Sequence, residues 1–241
     1  MSRKLRPWVK AVLSAVPLTG TILLNRAAAG LPLLAVSPAS GMAEEYVIDP
    51  ETEPKTLAEW KEINPDVAYV LTFADETCRR VIPVIKTPDA SYALRHNLYG
   101  DYDTMGSVFT DPSAAEPKNL VIYGHSSRTK DWCFTFLRNY AEEKYYQSHP
   151  SFQLESAAGT VPCRILSFGS YDVEAEIPFG WADPDLETET EVEMMVQETV
   201  PYLLQHTDGI VYQGQGIVTL VTCDMTKPDT RFVIQAVRDC G

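Results

Sequence analysis

Basic charge is scarce in this 241-residue chain: 20 lysines and arginines stand against 33 acidic residues, for a formal net charge of −13. A nucleic-acid groove needs the opposite sign, because phosphates are held by cations, so that class of partner is excluded. Metal-site spacing is missing as well. The five cysteines are Cys78, Cys133, Cys163, Cys223 and Cys240; they form no CxxC, and no Cys/His pair has zinc-site spacing. The absence of any cysteine before Cys78 argues against a lipid-modified N-terminus. No internal repeat occurs. With 45% apolar residues, 13 Gly and 17 Pro, the composition excludes a collagen-like, coiled-coil or largely disordered chain. It leaves one sizeable core or at most two small domains.

Acids are also absent from the start, where Arg3, Lys4, Arg6, Lys10 and Arg26 all precede the first acid, Glu44. Ala11 to Leu24 is an apolar run behind the basic cluster, and Ala27-Ala28-Ala29 offers the small residues of a signal-peptidase site. A spanning helix wants about 20 apolar residues, and Ala11 to Val36 supplies that length with only Asn25 and Arg26 inside it. A cleaved signal and a retained anchor both fit these residues. Either one exports the body of the chain. Residues 1–36 are thus expected to be a signal or membrane anchor, 37–55 a linker rich in Pro, Ser, Ala and acids, and 56–241 the working domain.

The domain reads as mostly β with inserted helices. Thr56–Ile63 has helical spacing and is stopped by Asn64-Pro65. Strands are expected at Val67–Phe73, Arg80–Lys86, Ser107–Thr110, Asn119–Tyr123, Phe152–Glu155, Val161–Phe168, Ile217–Thr222 and Arg231–Val237. Short helices are expected at Trp132–Tyr140 and Glu142–His149. The longest spans Asp185–Gln205, with Val192, Met195, Val196, Val200 and Leu203 on one stripe and Pro201 kinking it late.

Three residues stand where chemistry could be done. Cys223 ends the apolar run Ile217–Thr222, so its thiol is firmly held yet reachable, as a nucleophile must be. The alternative is a buried cysteine that packs as a small hydrophobe. His125 leaves the strand Leu120–Tyr123 through Gly124 and could serve as general acid and base; a loop histidine with no task is its alternative. Arg231 opens the last strand. If that strand pairs with the one ending at Cys223, the guanidinium faces the thiol and could hold an oxyanion; otherwise it is one more surface ion-pair partner. His96, His149 and His206 lie in polar segments and suggest no role. Arg79, Arg80, Arg95, Arg128, Arg138, Arg164 and Arg238 read as solvated charges.

These segments together resemble a sortase, class B in particular. The carriers are TLVTC at Thr219–Cys223 followed by Arg231, and NLVIYGHS at Asn119–Ser126. INPDVAYV at Ile63–Val70, IPVIK at Ile82–Lys86 and MGSVF at Met105–Phe109 support them, and the similarity runs from about Trp60 to Val237. The resemblance implies a closed eight-stranded β-barrel with a long helix between its sixth and seventh strands. It implies an anchor at the outer face of a Gram-positive membrane and no cofactor. The family's catalytic histidine, cysteine and arginine carry over to His125, Cys223 and Arg231. Class B members usually read TLSTC; Val221 replaces that serine, which bears on substrate fit rather than on the chemistry.

The activity implied is that of a cysteine transpeptidase. It would cleave the sorting signal of a surface protein after Thr, with an Asn-Pro-x-Thr core favoured over Leu-Pro-x-Thr. It would then pass the thioacyl group to an amine of cell-wall peptidoglycan. Pilin polymerisation uses the same residues. A hydrolytic cysteine peptidase and a silent binding module on the same fold are the other readings. The acidic run Asp183–Glu193 reads as a solvated helix start, or more sharply as a rim that favours a basic signal peptide or a lysine nucleophile. The odd number of cysteines leaves at least one free, and mostly free thiols are expected.

Overall fold

Runs of β-branched and aromatic residues between Val67 and Arg238 pair into a closed eight-stranded mixed β-barrel. The structure, a computed structural model, describes residues 47–48, 51, 53, 55–74, 79–110, 117–172, 186, 188–199, 205–206, 214–226 and 229–239. In chain order the elements are β1 (Val47–Ile48), α1 (Leu57–Ile63), β2 (Val67–Ala74), β3 (Arg79–Lys86), α2 (Ala90–Ala93), β4 (Phe109–Thr110) and β5 (Asn119–Tyr123). A 3-10 helix (Thr135–Ala141), α3 (Glu143–Ser148), β6 (Ser151–Ser156), β7 (Gly159–Asp172), α4 (Glu189–Thr199), β8 (Gln205–His206), β9 (Ile217–Cys223) and β10 (Thr230–Arg238) follow.

The barrel runs β3-β2-β6-β7-β10-β9-β5-β4, and β4 closes it by pairing with β3. β5–β9 and β3–β4 are parallel, and the other barrel pairs are antiparallel. β1 and β8 add two-residue pairings on β3 and β7. Every residue of β5 and β9 is buried, which is why both read as unbroken apolar runs. β6 instead alternates exposed and buried residues, with one face to water. The core is filled by large side chains including Trp60, Phe109, Phe134, Phe136, Tyr140 and Phe168.

α1 starts on a reciprocal cap: Glu59 N–H donates to Thr56 Oγ1 at 3.3 Å, and Thr56 N–H donates to Glu59 Oε2 at 2.7 Å. Pro65 forces Asn64 into an extended conformation and ends it. α4 lies between the sixth and seventh barrel strands, β7 and β9, in the slot expected for the long helix. Its Val192, Met195 and Val196 pack with Leu166, Ile217 and Val237 in a second apolar cluster. Gln235 Nε2 reaches Met195 Sδ at 3.0 Å, and Ser167 Oγ donates to Gln235 Oε1 at 3.2 Å, so the contact also has a polar centre.

Several boundaries differ from the sequence reading. α4 is shorter than Asp185–Gln205, because Gln205 joins β8 and pairs with Phe168. Pro201, Val200 and Leu203 lie outside the described residues. β7 runs on to Asp172, since β10 pairs with it along its whole C-terminal half despite the polar Gly169, Ser170 and Asp172. Ser107 and Val108 stay out of β4, because Gly106 turns the chain at φ +56° just before them. Trp132–Tyr140 is a turn followed by 3-10 helix, with Cys133 at φ +47°. The expected linker contributes Val47–Ile48 to the sheet edge.

Several of the arginines read as solvated make specific bonds. Arg80 pairs with Asp131 at 2.6 Å and Arg164 with Asp239, while Arg138 and Arg238 donate to the Ser127 and Pro117 carbonyl oxygens at 2.9 and 2.7 Å. Cys133, Cys163 and Cys223 are free thiols; Cys78 and Cys240 lie outside the described residues. So does the expected signal or anchor, residues 1–36. No described helix is long and apolar enough to cross a membrane.

Candidate active site

Cys223 and Arg231 are direct cross-strand partners in the β9–β10 hairpin, and paired residues project to one face of the sheet. His125 arrives from the other side of β9. β5 runs parallel to it in the register Tyr123↔Val221, and two further bonds extend that pairing past the strand end. Gly124 N–H donates to the Val221 carbonyl oxygen at 3.1 Å, and Thr222 Oγ1 donates to the Gly124 carbonyl oxygen at 2.8 Å. Gly124 has no room for a side chain, since a Cβ there would stand 2.7 Å from the Phe134 ring. All three sequence-predicted residues are thus brought to one end of the barrel. They are well shielded from water, at 7% exposure for His125, 8% for Cys223 and 5% for Arg231.

That shielding sets the protonation states. Burial pushes the Cys223 thiol up; the Arg231 charge pulls it partly back and Asp224 lifts it further. Burial pushes His125 down, and Arg231 adds to that, while its bond to Leu94 and the nearby Asp103 oppose it. Both directions favour the uncharged forms, thiol and neutral imidazole.

The backbone chooses the tautomer. His125 Nε2 lies 3.0 Å from the Leu94 carbonyl oxygen, which can only accept, so Nε2 carries the proton and Nδ1 is left open. Leu94 follows α2 in a segment locked by Gly106, where a Cβ would come within 2.3 Å of the Ala93 carbonyl oxygen.

Asp224 is fixed beside the cysteine. Burial opposes its charge, but hydrogen bonds from Ser170 Oγ (2.5 Å), Thr226 N–H (2.9 Å) and Thr226 Oγ1 (2.6 Å), with the charge of Arg138, hold its carboxyl below the usual range. Arg128 Nη2 donates to the Met225 carbonyl oxygen at 2.8 Å and ties the histidine loop to the cysteine loop.

Leu94, Asp103, Asp224, Ser170 and Arg138 were missed as site neighbours in the sequence. Asp224 alone carried a signal there, as the residue after the thiol. Val221 is buried in the core, opposite Val233. His96 and His149 are engaged elsewhere, with Nδ1 donating to the Tyr92 and Tyr145 carbonyl oxygens at 3.0 and 2.8 Å. No cluster of potential metal ligands occurs among the described residues.

A closed barrel with this strand order has the fold of the sortases. The chain is 28% identical over 185 residues to sortase B of Listeria monocytogenes, covering 74% of this chain and 72% of that one. Sortase B of Clostridium perfringens superposes with a TM-score of 0.67 at 22% identity, over 76% of this chain and 99% of that structure. A Staphylococcus aureus sortase B–substrate complex gives 0.64 at 19% identity, over 76% and 83%. No family model matches. In fold and sequence the chain is sortase B-like, as TLVTC and NLVIYGHS indicated.

Proposed function

We propose that this chain is a sortase-type cysteine transpeptidase with Cys223, His125 and Arg231 as its catalytic residues. Similarity to sortase B supports sortase transpeptidase chemistry in general. The observation that carries the assignment of residues is the pairing of Cys223 with Arg231 across β9–β10, with His125 at the end of the strand on the other side of β9.

In this reading an extended sorting signal enters with Thr at the cleaved bond. The Cys223 thiolate attacks the Thr carbonyl carbon, and Arg231 steadies the oxyanion that forms. As the C–N bond breaks, His125 gives its Nδ1 proton to the departing amine, leaving a thioacyl enzyme and a neutral imidazole. An acceptor amine then attacks the thioester, His125 Nδ1 takes its proton, and the thiolate leaves. The net result exchanges one amide for another. Burial excludes water, which would otherwise hydrolyse the thioester. The acceptor is an amine of cell-wall peptidoglycan, and the substrate is a surface protein with an Asn-Pro-x-Thr-like signal. The chain works at the outer face of the membrane, held by residues 1–36.

The test is a fluorogenic peptide library with Asn-Pro-x-Thr and Leu-Pro-x-Thr cores, assayed with and without triglycine or a diaminopimelate peptide, beside Cys223→Ala. Cleavage that depends on Cys223 and traps the amine on the Thr carbonyl is expected. Water-only products would instead indicate a peptidase, and a Cys223 inert to both peptide and thiol reagents would indicate a binding module.

A further inference from the structure

The segment joining β3 to β4 carries an aromatic surface that the chemistry above leaves unused. Four large apolar side chains stand well exposed among the described residues, and three of them fall in this segment: Tyr92 at 44%, Tyr99 at 47% and Tyr102 at 70%. Two of them, Tyr92 and Tyr102, are organised around His96. Its ring stacks on Tyr92 with centroids 3.9 Å apart and planes at 7°, and it meets Tyr102 edge-on at 6.1 Å. A β-bridge joins His96 to Tyr102, and the Tyr92 hydroxyl lies over Gly100, which turns the chain at φ +82°. These rings are placed before any partner arrives, which lowers the entropy cost of binding. An exposed aromatic group of this kind is unusual on a surface that touches nothing.

Its chemistry favours a cation. Each exposed ring is a tyrosine, with a π-face that attracts ammonium and a hydroxyl that bonds a peptide. Asp89 and Asp101 are exposed in the same segment and Asp103 is half-buried, against a single arginine, Arg95. The whole chain is acidic too. An anionic lipid surface would be repelled, and a symmetric pair of copies would set these carboxylates against each other. The location is equally specific, since the same segment supplies the Leu94 carbonyl that holds His125 and the Asp103 charge that acts on it.

We infer that the Tyr92–Tyr102 face docks the second substrate, an amine-bearing peptide that arrives as an ammonium, and delivers it to the His125 side of the thioester. The inference rests on the transpeptidase reading and names the binding surface of its acceptor.

The full chain is acylated with an Asn-Pro-x-Thr reporter peptide, and resolution is followed with triglycine and separately with hydroxylamine, which is too small to span the face. Tyr99→Ala combined with Tyr102→Ala should raise the KM for triglycine about tenfold, the loss expected of two aromatic anchors. The acylation rate and hydroxylamine resolution should stay the same. Asp101→Asn should flatten the salt dependence of triglycine transfer. An unchanged triglycine KM overturns the inference. A raised KM for the reporter peptide also overturns it, by assigning the face to the sorting signal. Absence of acylation in the unsubstituted protein removes the transpeptidase reading itself, a result distinct from either.

Discussion

At the scale of single residues, the site is governed by burial set against one guanidinium. Burial lifts Cys223, Arg231 lowers it and Asp224 raises it, so each charge has a signed consequence. Iodoacetamide labelling of Cys223, followed by mass spectrometry against pH, reports the thiolate. Arg231→Ala should move the labelling midpoint to higher pH and Asp224→Asn to lower pH. The profile of kcat/KM should be bell-shaped. Its acid limb should lie below the ordinary imidazole range, because burial depresses His125, and its alkaline limb above the ordinary thiol range. Away from the site, Thr219 Oγ1 lies 2.7 Å from Asn119 Oδ1 in the buried β5–β9 seam. Thr219→Val leaves that oxygen without this donor and should cost about 1–3 kcal/mol, read from the urea midpoint.

At the scale of elements, two segments hold the site and its flank. Met195→Ala should cost about 2–5 kcal/mol at the α4 contact. Hydrogen exchange should then speed up in α4 while the β7, β9 and β10 amides stay protected. Gly106→Ala forces a side chain into the Ala93 carbonyl at a positive φ, and so displaces the segment that bears Leu94. The result should be a loss of kcat with the fold retained by circular dichroism.

These two segments also mark how far the sequence could be read. β5 and β9 were legible to within a residue, because both faces are buried and the apolar run is unbroken. The Cys223–Arg231 juxtaposition followed from the hairpin. The Leu94–His125 bond was not legible, because a carbonyl oxygen is common to every residue and only tertiary structure decides which one faces a ring. The extension of β7 through Gly169–Asp172 was hidden for a related reason: Gly169, Ser170 and Asp172 give no strand signal, and the strand continues because β10 pairs with it and Tyr171 is buried in the core.

At the scale of the molecule, the barrel is closed unevenly. β10 pairs with β7 along its full length, from Thr230↔Asp172 to Arg238↔Cys163. β4 pairs with β3 at only two positions, Ile85↔Phe109 and Lys86↔Thr110. Native-state exchange should therefore open first at the β3–β4 seam and last along β7, β10 and β9, and equal protection at the two would contradict this.

The parallel pairing of β5 with β9 has a consequence for when the site is assembled. Cys223 and Arg231 are near neighbours along the chain, and a single hairpin suffices to bring them together. His125 reaches them only after a distant part of the chain has crossed the barrel and aligned beside β9, a contact of high sequence separation that forms slowly. A half-folded molecule therefore holds Cys223 beside Arg231 without His125. The three residues come together only when the barrel is complete, however early the β9–β10 hairpin forms.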